Sequence, residues 1–198
     1  MPTGAILIRK GTDLMKPLET LKNEHGLIRQ FLDILEGALK KMREGQRPPR
    51  DFFEKAIRFA RKFADEYHHL KEEHIMFVRL AQKQGGEYDG QVESLRHQHE
   101  TGRNHIAAIG AVLDGYEDGN PIKTDVISQS LTDYIPMLRE HIHTEDHVFF
   151  PMAYELLSED EQEQLQVEFD RARQKAGAET FEYYHKLVVD MGSILTHM

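Results

Sequence analysis

Two segments of the sequence carry the same arrangement of a histidine and a glutamate. His69 is followed four residues later by Glu73, and His141 is followed by Glu145 at the same spacing. Residues four apart on a helix lie on one side of it, one turn apart, so both side chains of a pair can reach one centre. Imidazole and carboxylate ligands together suit iron, manganese or zinc better than calcium or magnesium. The two pairs therefore indicate transition-metal chemistry.

A lone histidine precedes each pair at a similar distance. His25 lies 44 residues before His69, and His99 lies 42 residues before His141. Two helical hairpins of approximate two-fold symmetry would bring these matching sets together. A buried glutamate is costly unless it is paired or bound to metal, so two of them beside four inward histidines need a shared cation. The repeat predicts a two-metal site.

The elements that must position these residues are helices. Apolar residues recur at helical spacing nearly throughout, and glycine and proline interrupt the pattern between segments. The predicted helices cover about 21–44, 51–84, 88–116, 124–157 and 158–195. Pro136 and Pro151 should bend the fourth helix locally. Ser158 and Glu161 match a capping box that begins the fifth helix.

Four long helices with short connections indicate an all-α fold, an up-down-up-down four-helix bundle with an additional C-terminal helix. We divide the chain into an N-terminal arm at 1–17, the bundle at 18–157 and a C-terminal helix packed on the bundle at 158–198. The fifth helix could cap the bundle or mediate a homodimer contact.

The composition narrows both the metal ligands and the partners. The 198 residues include no cysteine, so any metal must be held by nitrogen and oxygen. A net charge of −9 repels nucleic acid and anionic lipid. No apolar run approaches the roughly 18 to 20 residues of a membrane span, and the first residues lack a signal-peptide pattern. We therefore expect a cytoplasmic protein without nucleic-acid or membrane partners.

Helical phase distinguishes the first pair from its immediate neighbours. At about 100° per residue, His69 and Glu73 point within roughly 60° of the mean direction of the apolar side chains on their helix. His68 and Glu72 have the same spacing, but their phase directs them toward the charged side of that helix. We therefore expect His68 to be solvated or to hydrogen-bond a ligand, and we assign metal binding to His69 and Glu73.

The same test applies to the second pair and to the lone histidines. His141 and Glu145 fall within the apolar stripe of their helix, whereas His143 and His147 lie on nearly the opposite side. The lone histidine of the third helix lies on the apolar face, and that of the first helix lies at its flank. The predicted metal ligands are His25, His69, Glu73, His99, His141 and Glu145.

Taken together, these features resemble the hemerythrin-like (HHE cation-binding) domain family. The resemblance covers about residues 18–157 and is carried by the segments Glu24-His25, Tyr67–Glu73, His99–Arg103 and His141–Pro151. It implies a non-haem centre of two iron ions with an oxo or hydroxo bridge. In that centre the terminal ligands would be His25, His69, His99 and His141, and the bridging ligands would be Glu73 and Glu145.

The sequence departs from the oxygen-carrying members of that family at two positions. They place a second histidine four residues after the third-helix ligand, where this chain has Arg103, and His105 could substitute for it. They place a bridging carboxylate five residues after the fourth-helix histidine, where Asp146 stands as the alternative to Glu145. The iron–sulfur repair branch carries a cysteine-bearing N-terminal segment, from which this cysteine-free chain also departs.

Three functions follow as hypotheses. The first is a di-iron protein that binds oxygen or nitric oxide for sensing, storage or transfer. The second is a di-iron enzyme with peroxidase, catalase-like or oxidase activity, because a missing fifth histidine would leave a coordination position open to substrate such as peroxide. The third is a metal-binding interaction module without a redox role. The sequence leaves open whether the chain is an enzyme.

Overall fold

The computed structural model describes residues 17–86 and 88–198, and this part of the chain contains helices and no strand. Its α-helices are α1 (Pro17–Arg43), α2 (Arg50–Phe59), α3 (Phe77–Ala81), α4 (Asp89–Val112), α5 (Pro121–Thr144), α6 (Phe150–Leu156), α7 (Glu159–Ala176) and α8 (Thr180–Thr196). The prediction of an all-α bundle with an additional C-terminal element is confirmed. The predicted N-terminal arm lies outside the described residues except for Pro17, which begins α1.

Wide π-helical segments join some of these helices into longer ones. The segments Ala60–His69 and Glu72–Met76 connect α2 to α3, so residues 50–81 form one continuous helix. The segment Glu145–Phe149 connects α5 to α6 in the same way over residues 121–156. Together with α1 and α4, these are the four long helices of the bundle. In the fourth, Pro151 lies two residues beyond the end of the wide turn and has no N–H to continue the regular ladder.

Local signals in the sequence set several helix ends. Gly45 follows α1 with a φ of 81°, a region that favours glycine. At the start of α5, the Asn120 side chain accepts a hydrogen bond from the N–H of Ile122. At the start of α7, Ser158 and Glu161 form the predicted capping box, each side chain accepting a hydrogen bond from the backbone N–H of the other residue.

The C-terminal region differs from the prediction of one helix over 158–195. It forms two helices, α7 and α8, which we call the C-terminal hairpin. Gly177 separates them with a φ of 108°, a conformation that a side chain would strain. The second helix packs on α1 and α2 and buries an apolar stripe that includes Leu187 and Met191. This apolar stripe is therefore buried against other helices of the same chain.

Each long helix carries buried polar side chains at one level, between two apolar cores. The larger core contains residues such as Phe31, Phe59 and Leu131, and the smaller core contains Phe77 and Phe150. The buried polar residues at this level are Glu24, His25, His68, His69, Lys71, Glu72, His99, His141, Glu145 and Asp146. Burying polar groups costs free energy unless partners satisfy them, so this level is the candidate functional site.

The described helices can be checked for a membrane-spanning segment. Among the helices of residues 17–86 and 88–198, none is both long enough and apolar enough to span a bilayer.

Candidate metal centre

Five histidines and two glutamates meet at the polar level of the bundle. None of the seven exposes more than 7% of its surface. They divide into two groups in which one ligand atom from each residue lies within 4.8 Å of the others. The first group is His25, His68, Glu72 and Glu145, and the second is His69, Glu72, His99 and His141. Two neighbouring cation positions can therefore be built from side chains of all four long helices.

The two glutamates lie between the two groups. Glu72 belongs to both of them. Its Oε1 lies 3.5 Å from His68 Nε2, and its Oε2 lies 3.5 Å from His99 Nε2. Glu145 Oε2 lies 3.2 Å from His25 Nε2 in one group and 3.2 Å from His141 Nε2 in the other. Both carboxylates are thus placed to bridge two cations.

The five imidazoles share one orientation, in which Nδ1 faces an oxygen atom of a neighbouring side chain. The Nδ1-to-oxygen distances are 2.9 Å for His25 and Asp146, 2.8 Å for His68 and Glu24, 3.4 Å for His69 and Asp65, 2.7 Å for His99 and Glu73, and 2.8 Å for His141 and Gln98. Such an acceptor keeps the hydrogen of a neutral imidazole on Nδ1 and leaves the lone pair on Nε2. The Nε2 atoms are therefore the available metal ligands.

Whether a cation fits the first group can be judged from six of its buried ligand atoms. His25 Nε2, His68 Nε2 and both carboxylate oxygens of Glu72 and Glu145 are buried and have no hydrogen-bond partner. The 3.2 Å approach of His25 Nε2 to Glu145 lacks hydrogen-bond geometry. Buried polar atoms are nearly always paired, and a buried carboxylate without a partner is expensive. A pair of metal ions would satisfy these atoms together, so the donor set fits them.

Three histidines of the centre favour the protonation state that binds metal. Burial lowers the pKa of His68 well below its ordinary value. Burial, together with the neighbouring His99, lowers the pKa of His69 to about 3. Burial also lowers the pKa of His99 itself. These three imidazoles are neutral at neutral pH, and a neutral imidazole coordinates a metal ion without first losing a proton.

The two glutamates have opposite pKa shifts. Burial and the negative charge of Glu145 raise the pKa of Glu72 well above its usual range. Burial also favours the neutral form of Glu145, but the His141 and His25 imidazoles together outweigh burial and hold the pKa of Glu145 well below its usual range. Two neighbouring buried carboxylates do not both ionise readily without a cation. A bound metal pair would charge both.

The structure brings five of the six predicted ligands into these groups, namely His25, His69, His99, His141 and Glu145. It places Glu73 outside both. Glu73 Oε1 accepts a hydrogen bond from Arg103 Nη2 at 2.7 Å and lies 2.7 Å from His99 Nδ1. Glu72 takes the position expected for Glu73, and His68 joins the centre as a fifth histidine. Glu73 is therefore placed to orient His99.

The wide turns of the second long helix explain why helical phase pointed to Glu73, whereas the structure places Glu72 between the two groups. The Leu70 N–H bonds to the carbonyl of Asp65, and the Phe77 N–H bonds to the carbonyl of Glu72, five residues back in each case. Each wide turn takes one extra residue and shifts the phase of later residues by about 100°. In the fourth long helix the wide turn begins only at Glu145, so the expected phase holds there. The repeated spacing of His68 and Glu72 was the sequence signal for them.

The two alternative ligands considered from the sequence lie outside the groups. His105 is half-buried near the ring of Tyr134, with 6.5 Å between ring centroids. Asp146 holds His25 Nδ1 and pairs with Arg29. Asp146 is therefore placed to orient a ligand.

A buried ion pair, which sequence reasoning missed, lies next to His68 of the centre. Lys71 is fully buried, and its Nζ donates a hydrogen bond to Glu24 Oε1 at 2.7 Å. The same ammonium lies 3.4 Å from the ring centroid of Tyr67, a cation–π distance. The other oxygen of Glu24 holds His68 Nδ1. Lys71 thus compensates the charge of the carboxylate that orients a ligand.

Comparison with known proteins adds an independent line of information. The sequence model of the Hemerythrin HHE cation binding domain matches residues 16–153. An uncharacterized protein of Mycobacterium tuberculosis is 26% identical over 140 residues, which are 71% of this chain and 54% of that protein. The iron-sulfur cluster repair protein YtfE of Pectobacterium atrosepticum is 25% identical over 88 residues, 43% of this chain and 40% of that protein. The chain thus spans about half the length of the curated relatives it matches. No solved structure matches it.

Proposed function

This chain belongs to the hemerythrin HHE cation-binding family, and we propose that its buried centre holds two iron ions and binds a small diatomic molecule, oxygen or nitric oxide, for sensing, storage or transfer. The observation that carries the proposal is the set of five imidazoles anchored at Nδ1 around two glutamates, four of whose oxygens have no partner. Nitrogen and oxygen donors in this proportion suit iron. When bound, the ions would supply reducing electrons and a coordination position for the diatomic ligand.

We assign the seven side chains to two unequal positions. His25 and His68 would serve one ion, and His69, His99 and His141 would serve the other. Glu72 and Glu145 would bridge them. Because the two-histidine position has fewer protein ligands, it is the one we assign to the diatomic molecule.

The surroundings of the two-histidine position support binding of a small neutral ligand. The ring of Phe150 stacks on His25 with 5.5 Å between centroids. Phe150 and Leu21 belong to the smaller apolar core beside this position, and both are fully buried. An apolar, water-poor pocket with a few polar groups is typical of small-ligand sites. The chain's own contribution is to orient the ligands and to exclude water.

Anaerobic reconstitution with ferrous iron tests the proposal. Metal analysis should find two irons per chain, and addition of oxygen or nitric oxide should change the visible absorption spectrum. His141→Ala should lose iron, whereas His143→Ala, an exposed histidine on the same helix, should keep it. Much less than two irons per chain, or a spectrum that does not respond to either gas, would contradict the proposal. Sustained turnover of hydrogen peroxide would instead favour the enzyme hypothesis.

A further inference from the structure

The buried centre poses the question of how a metal ion reaches it. Its seven ligands are almost fully buried, and the most exposed of them is His69, at 7%. A cavity of about 280 Å³ leads from the surface to His69 and His99. Small residues of the second long helix and α4, Ala64 and Gly102 among them, form part of its wall. At its rim stand charged side chains.

Two residues that line the cavity, Asp65 and His69, combine with Glu73, which pairs with the lining residue Arg103, in the composition of a cation site. Asp65, His69 and Glu73 each offer a ligand atom, and the three atoms lie within 4.8 Å of one another. Arg103 is the cation now held there. Its Nε and Nη2 donate hydrogen bonds to Asp65 Oδ1 at 2.9 Å and 2.7 Å, and its Nη2 also donates to Glu73 Oε1 at 2.7 Å. Arg103 thus supplies the positive charge that two carboxylates would otherwise require.

We propose that Asp65, His69 and Glu73 form an outer site for a divalent cation, through which metal ions reach and leave the buried centre, and that Arg103 occupies this site between passages. This inference rests on the proposed function, because it assigns a route to the ions of that centre. The ligand class is a divalent transition-metal ion, since the donors are one imidazole and two carboxylates.

The positions of the shared residues support a transfer between the two sites. His69 Nδ1 faces Asp65 at the outer site, where it would bind an ion in the tautomer that carries the hydrogen on Nε2, and the same imidazole is a member of the inner group. Glu73 at the outer site is the chain neighbour of Glu72, which bridges the inner groups. An ion therefore moves past a single ring to change sites. The Arg103 pairs are partly exposed, with 34% of the arginine side chain accessible, and such ion pairs are weak enough for a divalent ion to displace.

The rate of metal uptake tests the route. Uptake of Co²⁺ by the full metal-free chain can be followed through its visible absorption. Asp65→Asn should slow uptake at least about five-fold while the final content stays at two ions per chain, and Arg103→Gln should accelerate it. The matched controls are Asp33→Asn and Arg139→Gln, because Arg139 bridges two surface carboxylates, including Asp33, as Arg103 does at the rim. Both controls should load at the wild-type rate.

A titration detects the outer site directly. Once the centre is filled with Co²⁺, Arg103→Gln should bind one further Zn²⁺ per chain, and the double variant Asp65→Asn/Arg103→Gln should not. Failure of the wild-type chain to take up two ions would refute the proposed function. Two ions taken up at equal rates by Asp65→Asn and Asp33→Asn would overturn the outer site alone. Absence of the further Zn²⁺ in Arg103→Gln would overturn it as well.

Discussion

Replacing Glu72 by methionine should abolish iron binding and yet stabilise the metal-free protein. Both carboxylate oxygens of Glu72 are buried without a hydrogen-bond partner, and its raised pKa makes the group neutral but does not give it a partner. An unsatisfied buried polar group costs about 1–3 kcal/mol. Methionine has a similar length and adapts to irregular cores. The free energy of unfolding of the metal-free protein should therefore rise by about 1–3 kcal/mol.

The assay is thermal unfolding with and without iron, combined with metal analysis. For a domain of this size, about 1–3 kcal/mol corresponds to a rise in Tm of roughly 2–12 °C for the metal-free Glu72→Met variant. With iron the order should reverse. A metal that binds only the folded wild-type chain stabilises it by about 2.7 kcal/mol at a free concentration one hundred times Kd. The variant lacks the carboxylate that we propose as a bridging ligand, so it should gain nothing from iron.

The matched control is Glu73→Met, one residue further along the same helix. Glu73 is paired with Arg103, so its removal should not stabilise the metal-free chain. Loss of the oxygen that orients His99 should weaken iron binding about 10–100-fold, but two irons should still bind at saturation. If Glu73→Met loses its iron while Glu72→Met keeps two, Glu73 is the bridging ligand and the assignment of Glu72 is refuted.

Three further predictions concern the support of the centre and of the C-terminal hairpin. Glu24→Gln should weaken iron binding about 10–100-fold, measured by competition with a chelator, because the anchor of His68 changes from a carboxylate to an amide. Lys71→Met should lower the free energy of unfolding by about 3–5 kcal/mol in urea, because it leaves a buried charge unpaired; Lys62→Met, at an exposed pair, should change it by less than about 1 kcal/mol. Ser158→Ala should cost about 0.5–2 kcal/mol in thermal unfolding through loss of the α7 cap, and an unchanged Tm would show that the capping box contributes nothing.

Much of the fold could be predicted because helical periodicity and capping are local properties. The four long helices and the capping box of Ser158 are both confirmed. The C-terminal region forms two helices and not the one predicted over 158–195, because Gly177 adopts a φ of 108° and lets the chain reverse. Whether a glycine adopts a positive φ depends on what the following segment packs against. Here α8 packs against α1 and α2.

The sequence by itself determined the chemistry of the site. Histidine and glutamate at four-residue spacing, repeated in two halves of a cysteine-free chain, already indicated nitrogen and oxygen ligands for a metal pair. Those residue types and spacings are the same however the helices pack. The family match over residues 16–153 agrees with cation binding.

Only the tertiary structure decided which member of each neighbouring pair faces the centre. His68 and His69 both lie in the ligand groups. Of the two neighbouring glutamates, Glu72 belongs to both groups and Glu73 to neither. The reason is that the wide turns change the helical phase by about one residue, and a phase read at a constant 100° per residue cannot register them. The same change turns Glu73 outward to Arg103, where it orients a ligand and forms part of the outer cation site that we propose.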